Sequence, residues 1–222
     1  MKRRIIILLV LPLFICACTK TSIPTDDLFN AIKEKRTDQV KTILERNRID
    51  LDPSRKPGAV NKPLAYAAAY GNLEIVKVLK EKGADINGRV AYGDCPIIKA
   101  MEHDNIDIAK YLITQGADVN NPNAFGVTPF MGFCAYGDLE LVKLALSHGG
   151  KINESYLQSA GNAKGKKNWT PLQSSVAYGK LEVVKLLLEN GGDPHIKDSY
   201  GKNCSDLAKE KGHLEVLSYL NN

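Results

Sequence analysis

The residue types that usually carry out catalysis or bind metals are scattered along this chain. The four histidines, His103, His148, His195 and His213, include no pair at the i, i+4 spacing that places two imidazoles on one face of a helix. No motif sets a nucleophile beside a base, or two carboxylates together, as an active site requires. The sequence therefore predicts no catalytic residue and no metal ligand, and we expect the histidines to be solvated or to cap helices.

A phosphate-binding loop is also missing from the sequence. The glycines of the segment 161–165 lack the preceding strand and the following Lys-Thr pair that would cradle a phosphate. The other glycines recur at fixed intervals, as glycines at helix ends do in a repeated structure. We therefore expect no cofactor and predict that the protein is not an enzyme.

The composition is that of one globular domain rather than of a nucleic-acid-binding protein. Of the 222 residues, 44% are hydrophobic and 25% are charged, which is enough to bury a core. The formal net charge is +5, but without Lys2, Arg3 and Arg4 it falls to +2, with 27 basic residues against 25 acidic ones. Lys and Glu alternate along the predicted helices as on solvated faces, and no basic stripe appears. We therefore expect no nucleic-acid partner.

Three columns of residues recur with the same period along the chain. Gly71, Asp104 and Gly137 are 33 residues apart, and Gly179 and Gly212 follow at intervals of 42 and 33. The same steps of 33, 33 and 42 residues separate the members of the other two columns, which are Pro63, Pro96, Pro129 and Pro171, and Gly83, Gly116, Gly149 and Gly191. Such a period is typical of a solenoid, in which units too small to bury their own apolar face stack on one another.

Each period predicts a pair of short helices. In the first complete period, Pro63 suits the first position of a helix because it lacks an N–H, and Gly71 is expected to end that helix in a left-handed conformation. Asp also tolerates this conformation, so Asp104 is expected to adopt it at the equivalent place. Asn72 is expected to cap the second helix, which Gly83 closes. An acidic residue stands in the first turn of each second helix, near its positive end: Glu74, Asp107, Glu140, Glu182 and Glu215.

These features resemble the ankyrin repeat. The Thr-Pro-Leu opening of that family is matched by Thr128-Pro129-Phe130 and Thr170-Pro171-Leu172, and its Gly-Ala-Asp close by Gly83-Ala84-Asp85 and Gly116-Ala117-Asp118. The resemblance implies an all-α fold, an α-solenoid of about five to six ankyrin repeats whose helix-turn-helix units are joined by β-hairpin-like loops. It covers residues 25–222, with a degenerate first unit and an atypical last one, as the ends of a solenoid require. It also implies a protein-protein interaction module.

The 42-residue interval contains an insertion of nine residues near 154–167, where the family has a hairpin connection. Its segment 161–167 is rich in glycine and lysine, and we expect it to project as a longer basic finger. Insertions into solenoids often fall on the binding face, but surface loops also tolerate extra length at little cost. The sequence leaves open whether this finger contacts a partner.

The first residues have the pattern of an export signal with a lipidation site. Three basic residues precede an apolar run of eleven residues, 5–15, which is shorter than the roughly 20 needed to span a bilayer. The run ends in Ile15-Cys16-Ala17-Cys18, which resembles the lipobox of bacterial lipoproteins and implies a lipid on Cys18 after removal of the signal peptide, residues 1–17. Residues 18–24 are then the linker. Simple secretion, with both cysteines incidental, is the alternative.

A lipid on Cys18 implies a membrane anchor for the domain. The diacylglycerol and the amide-linked acyl chain of such lipoproteins bury enough methylenes for firm anchoring. Thr19, rather than an Asp, follows the modified cysteine. By resemblance to enterobacterial lipoproteins, this favours the periplasmic side of the bacterial outer membrane over the inner membrane.

Three further cysteines, Cys95, Cys134 and Cys204, lie in the repeat region. An odd number cannot pair completely, and the three take different positions in different units. Stacked helices lie about 8–10 Å apart, whereas a disulfide needs α-carbons within about 7 Å of each other. We therefore expect buried free thiols, and a Cys95–Cys134 bridge is the alternative.

Seven ring-bearing side chains stand just before two of the recurrent turns. Partners of ankyrin repeats bind to the inner helices and hairpin tips of the concave side, and both positions are variable in the family. The inner-helix positions hold Tyr70, His103, Tyr136 and Tyr178, and the hairpin tips hold Tyr92, Phe125 and Tyr200. Tyrosine combines an apolar ring with a polar tip and is enriched at protein interfaces. We call these seven residues the aromatic face and predict that they bind a partner; the alternative is that the rings only pack on neighbouring units.

Together these features predict a monomeric, non-enzymatic protein that is tethered to the bacterial envelope and binds one or more envelope proteins. Some bacterial ankyrin lipoproteins resemble this chain and neutralise antibacterial effectors such as secreted phospholipases, which implies an inhibitor or immunity role by analogy. A scaffold that assembles or protects a resident envelope enzyme or a secretion component is the alternative.

Overall fold

A computed structural model describes residues 24–51, 62–155 and 168–221, which form six helix-turn-helix pairs. The inner helices are α1 (Pro24–Lys33), α3 (Pro63–Tyr70), α5 (Pro96–Glu102), α7 (Pro129–Tyr136), α9 (Pro171–Ala177) and α11 (Cys204–Lys211). The outer helices are α2 (Thr37–Arg46), α4 (Leu73–Glu81), α6 (Ile106–Thr114), α8 (Leu139–Ser147), α10 (Leu181–Glu189) and α12 (Leu214–Leu220). These three ranges contain no strand, so the prediction of an all-α solenoid is confirmed.

The inner helices begin as the sequence predicts. Pro63, Pro96, Pro129 and Pro171 each occupy the first turn of an inner helix, where the missing N–H has no helical partner to lose. The Thr170 hydroxyl accepts a hydrogen bond from the backbone N of Gln173 at 3.2 Å, and the Gln173 side chain accepts one from the backbone N of Thr170 at 2.9 Å. This capping box fixes the start of α9.

The turns between paired helices have a left-handed residue at four of the five positions of the first column, which comprises Gly71, Asp104, Gly137, Gly179 and Gly212. Asp104 has a φ of 59°, and Gly137, Gly179 and Gly212 have φ values of 92°, 67° and 74°. The prediction was wrong for Gly71, whose φ is −80° and ψ −150°. Glycine is needed there for a steric reason, because a Cβ atom would lie 2.7 Å from the carbonyl oxygen of Ala67.

A polar residue precedes each outer helix, and several of these residues reach back to the preceding unit. The Asn72 side chain accepts a hydrogen bond from the backbone N of Ile75 at 2.9 Å, as expected of a helix cap. Asn105, at the equivalent place, instead donates from Nδ2 to the carbonyl oxygens of Ala68 and Ala69, both at 2.8 Å. It therefore satisfies carbonyl groups at the end of α3, in the unit before its own.

The helices form two layers that stack unit on unit, inner on inner and outer on outer. Within the inner layer α3 packs closely on α5, and α7 on α9, whereas α5 and α7 approach each other less closely. One apolar core runs through the stack and includes the completely buried Ala67, Leu79, Ala100, Leu112 and Phe133. The seam between α5 and α7 is therefore the loosest in the inner layer.

The three cysteines of the repeat region are buried and free, as expected. Cys95, Cys134 and Cys204 contribute to the apolar core as small hydrophobic side chains. The alternative Cys95–Cys134 bridge is not formed.

Hydrogen bonds between loops continue the stacking across the insertion. The side chain of Asn120 accepts a hydrogen bond from the backbone N of Lys151 at 2.9 Å. Asn153 accepts one in the same way from the backbone N of Asp193 at 2.8 Å, although 40 residues separate the two. The units on either side of the insertion are therefore stacked like the others. Residues 156–167 lie outside the described residues, so the basic finger stays a prediction.

The segment 1–23 also lies outside the described residues. The signal peptide, the lipidation of Cys18 and the linker to residue 24 therefore stay predictions. Within the described ranges, no helix has the length and apolar character needed to cross a bilayer.

Candidate protein-binding surface

All seven side chains of the aromatic face lie at the protein surface. The six tyrosine and phenylalanine rings are between 42% and 70% exposed, and His103 is also exposed. Large rings at this exposure leave apolar area in contact with water, which is a mark of interaction surfaces when the rings lie together. The structure therefore presents these residues where a partner can reach them, while their role in binding stays a prediction.

Four rings form a continuous row along the first three inner helices. The ring centroids of Phe29 and Tyr66 are 5.0 Å apart, those of Tyr66 and Tyr70 4.8 Å, and those of Tyr70 and His103 4.5 Å. Phe29 and Tyr66 are not among the partner-binding residues predicted from the sequence. Tyr66 precedes Tyr70 by four residues and so shares its helix face, which is the signal that would have found it. Phe29 lies in the degenerate first unit, where the repeat pattern is weakest.

Tyr136 lies on the next inner helix, α7, and its side chain is held by a hydrogen bond. Its hydroxyl donates to the carboxylate of Asp104, the left-handed residue of the preceding unit. This hydrogen bond, together with the charge of Asp104, raises the pKa of Tyr136 above its ordinary value. The phenol therefore stays protonated to a higher pH than that of an unperturbed tyrosine.

The hairpin tips carry a second set of rings. The centroids of Tyr92 and Phe125 are 5.7 Å apart, with the ring planes tilted by 30°. The tip that carries Phe125 is fixed by Asn123, whose side chain accepts hydrogen bonds from the backbone N of Phe125 at 2.9 Å and of Val127 at 3.1 Å. Asp198 fixes the tip of Tyr200 in the same way. Tyr92 and Phe125 thus form a pair on neighbouring tips.

The tip that carries Tyr92 has a different backbone. Val90 occupies the place of Asn123 and Asp198 and has no side-chain oxygen to accept the N–H groups of the turn. The chain forms a single 3-10 turn there, and Tyr92 adopts a φ of 60°, which is unusual for a bulky residue. The backbone N of Ala124 donates to the carbonyl oxygen of Tyr92 at 2.7 Å and ties the two tips together.

Two hollows lie side by side on the surface of the inner layer, on either side of α5. The first, of about 370 Å³, lies between α3 and α5 and is lined by Tyr66, Tyr70, Tyr92 and His103, among others. The second, of about 430 Å³, opens along the loose seam between α5 and α7 and is mostly apolar. We call it the seam groove; its lining includes Ile98, Met101, Val127, Gly132, Tyr136 and Tyr178. Tyr136 and Tyr178 therefore line one groove, whereas the sequence indicated only that they hold equivalent positions in different repeats.

Carboxylates outnumber ammonium groups among the described residues near the seam groove. Lys99 forms ion pairs with the buried carboxylate of Asp94 at 2.9 Å and with Glu102 at 2.8 Å. Burial lowers the pKa of Lys99, but the hydrogen bonds to Glu102 and Asp94 raise it more, so that the ammonium group stays charged. Asp104 and Asp138 lie close enough to Tyr136 to act on its titration. Lys180 is the nearby cation of the next unit, and its side chain covers Gly137.

The histidines lie at helix ends or on the surface, as expected. His103 and His148 follow the last residues of α5 and α8, and His195 is exposed. His213 precedes α12, and its Nε2 lies 3.1 Å from the carbonyl oxygen of Ala177. Among residues 24–51, 62–155 and 168–221, no three His, Cys, Asp or Glu side chains are grouped as metal ligands.

Comparison with known families agrees with this architecture. A family model described as ankyrin repeats, in three copies, matches residues 28–123, 115–198 and 156–222. These matches together run from the first helix pair to the last.

Two curated proteins are similar over shorter stretches. A putative ankyrin repeat protein of Rickettsia bellii (strain RML369-C) is 35% identical over 74 residues, which is 32% of this chain and 44% of that protein. A probable E3 ubiquitin-protein ligase, XBOS33, of Oryza sativa subsp. japonica is 49% identical over 43 residues, which is 19% of this chain and 8% of the ligase. The matched stretch thus spans less than half the length of either relative.

Proposed function

Because this chain belongs to the ankyrin-repeat family, whose repeats are protein-protein interaction modules, we propose that it is held at the bacterial envelope and binds and inhibits one envelope protein. The aromatic face forms the binding surface in this proposal. The exposure of all seven of its side chains on neighbouring inner helices and hairpin tips is the observation that carries it.

The energetics of protein interfaces favour this surface over the rest of the molecule. A few aromatic anchors near the centre of an interface usually supply most of the binding free energy. The row from Phe29 to His103 and the pair of Tyr92 with Phe125 place such anchors around two hollows. The six outer helices carry two aromatic side chains, the half-buried Tyr111 and the exposed Tyr219, which lie near the ammonium groups of Lys77 and Lys185.

Replacing Tyr70, Tyr136 and Tyr178 together by alanine is expected to abolish capture of the partner. Each truncation removes exposed ring area from the proposed contact surface, and loss of central anchors typically costs about 2 kcal/mol or more each. The measurement is affinity capture of cross-linked proteins from envelope extracts, followed by mass spectrometry.

The matched control replaces Tyr111 and Tyr219, on the outer helices α6 and α12, by alanine. This variant should capture the same protein as the unaltered chain. Unchanged capture by the triple variant would contradict the proposal that the aromatic face binds the partner.

Inhibition and scaffolding predict different effects on the captured protein. An inhibitor lowers the activity of its partner when the two purified proteins are mixed, whereas a scaffold leaves it unchanged or raises it. An adjacent toxin or lipase gene would also favour the immunity role, since an inhibitor is needed where its target is made. We place a secreted antibacterial effector such as a phospholipase first among partners, on the resemblance to bacterial ankyrin lipoproteins alone.

Replacing Cys18 by serine is expected to release the protein from membranes. The proposed lipid on Cys18 would supply the anchor, because a diacylglycerol and an amide-linked acyl chain bury many methylenes. The measurement is fractionation of cells that express the full chain, together with metabolic labelling by a clickable palmitate. The Cys16→Ser variant is the control and should remain labelled and membrane-bound; label on the Cys18→Ser variant would contradict the assignment.

A further inference from the structure

Gly132 lies in the middle of α7, where nothing in the fold requires a glycine. It is not among the left-handed glycines, and a Cβ atom built on it meets nothing within 4 Å. By contrast, Gly71 is needed because a Cβ would approach Ala67, and Gly137 because its φ is 92°. Glycine inside a helix is also less favourable than alanine, since more backbone freedom is lost on folding.

The equivalent positions of the other inner helices carry side chains. Counted from the proline at the start of each helix, the same place holds Tyr66 in α3, Lys99 in α5 and Ser174 in α9. Tyr66 belongs to the ring row, Lys99 forms two ion pairs, and Ser174 donates to the carbonyl oxygen of Met131. This position therefore carries a side chain in α3, α5 and α9 but not in α7, where it is Gly132.

The empty position and the seam groove coincide. Gly132 lines the groove of about 430 Å³ between α5 and α7, the pair of inner helices that approach each other less closely. Any side chain at residue 132 would project into this space. Ile98, Met101 and Val127 give the groove apolar walls, and a volume of this size is within the range of about 300–1,000 Å³ found for binding pockets.

The rim of the groove carries more carboxylates than cations. Glu102 lines it, Asp104 accepts a hydrogen bond from the lining residue Tyr136, and Asp138 also acts on the titration of Tyr136. The carboxylate of Asp94 is buried beneath and pairs with Lys99. Among the residues that the structure describes, the cations on this part of the surface are Lys99, which pairs with both Asp94 and Glu102, and Lys180, which covers Gly137. A positively charged group of a partner is therefore attracted to the rim.

We propose that the seam groove binds a bulky apolar side chain of a protein partner, next to a lysine or arginine of the same partner that pairs with Glu102 or Asp104. This proposal rests on the proposed function, in which the aromatic face binds a protein. Tyr136 and Tyr178 belong to both surfaces, so the groove continues that face. Gly132 keeps the groove open at a cost in helix stability, and stability and binding should therefore respond to its substitution in opposite directions.

The first test measures stability. Gly132→Ala is expected to raise the Tm of the full chain by about 2–4 °C, because alanine favours the helix and the new methyl group meets open space. A fall in Tm would show that the glycine serves the packing of α7, and would overturn the proposal.

The second test measures binding with a defined probe, a library of random dodecapeptides displayed on phage. Peptides selected on the unaltered protein should share an apolar residue beside a Lys or Arg. Their affinity, measured by fluorescence anisotropy of the synthetic peptides, should fall at least tenfold with Gly132→Leu and severalfold with Glu102→Gln plus Asp104→Asn. The control is Asn30→Leu, which adds the same side chain at an exposed position of α1 and should not change the affinity.

The outcomes separate the groove from the wider binding surface. Failure to select any peptide, selection of acidic peptides, or equal binding to the Gly132→Leu variant would each overturn the groove proposal. Capture of the envelope partner supplies the comparison. If Gly132→Leu still captures a protein that the Tyr70, Tyr136 and Tyr178 variant loses, the groove proposal fails while the proposed function stands; if neither variant loses it, both fail.

Discussion

Replacing Phe130 by alanine is expected to lower the free energy of unfolding by about 3–5 kcal/mol. The Phe130 side chain is completely buried in α7, and its backbone N donates to the carbonyl oxygen of Val119 at 2.9 Å. Its ring also reaches the loop after α8, since a Cβ on Gly150 would lie 3.0 Å from Cε1 of Phe130. Truncation therefore leaves a cavity where several segments meet, and these rigid neighbours prevent its collapse.

Urea denaturation followed by circular dichroism measures this loss. In a solenoid each unit contacts only its neighbours, so a defect in a central unit weakens the coupling between the two ends as well. The matched control is Phe125→Ala at a hairpin tip, where the ring is 50% exposed and the expected change is within about 0.5 kcal/mol. Equal effects of the two substitutions would contradict the assignment of Phe130 to the core.

The three thiols of the repeat region are expected to react with a disulfide reagent at least 100-fold more slowly in the native protein than in the unfolded chain. Burial raises the pKa of Cys204 to about 12 and also raises the pKa of Cys134 and of Cys95. Since the thiolate is the reactive form, a pKa near 12 leaves roughly one thiol in 10,000 ionised at pH 8. Burial also blocks access of the reagent, so both effects slow the reaction.

The measurement uses Ellman's reagent at pH 8 on a Cys16→Ser, Cys18→Ser variant, in which these three thiols alone report. In 6 M guanidinium chloride all three should react at the rate of free cysteine, which serves as the control. Because the native pKa values are raised, the protection should hold at and below pH 8 and weaken as the pH rises towards 12. Fast labelling of one thiol in native buffer would place that cysteine outside the core.

The repeat architecture was predictable because its signals are local. Pro63 fits the first turn of a helix, and Asp104 tolerates a left-handed backbone, whatever surrounds them. The same reasoning was wrong for Gly71, because its requirement is a contact with Ala67 and not a backbone angle. Its left-handed assignment came from a column in which the other members do have that conformation.

The surface was predictable only in outline. The exposure of Tyr70 and its equivalents follows from their place before a turn, but the row to Phe29 depends on how the first unit packs against the second. Tyr92 adopts a φ of 60° at the tip where Val90 stands in place of Asn123 or Asp198, and the sequence did not predict that backbone. From the sequence alone, Gly132 indicates only a position that destabilises a helix. That it lines a groove is visible only in the structure.

The sequence by itself determined the repeating unit, the order of its helices and which columns face outward, because these depend on backbone preferences and on spacings within one period. It left the number of repeats at about five to six, and the structure describes six helix pairs. Only the tertiary structure decided how far apart neighbouring units stand. The wider separation of α5 and α7, and with it the groove over Gly132, arises from packing between side chains of different units. A common period of 33 residues carries no information on that distance, since closely and loosely packed pairs of units share it.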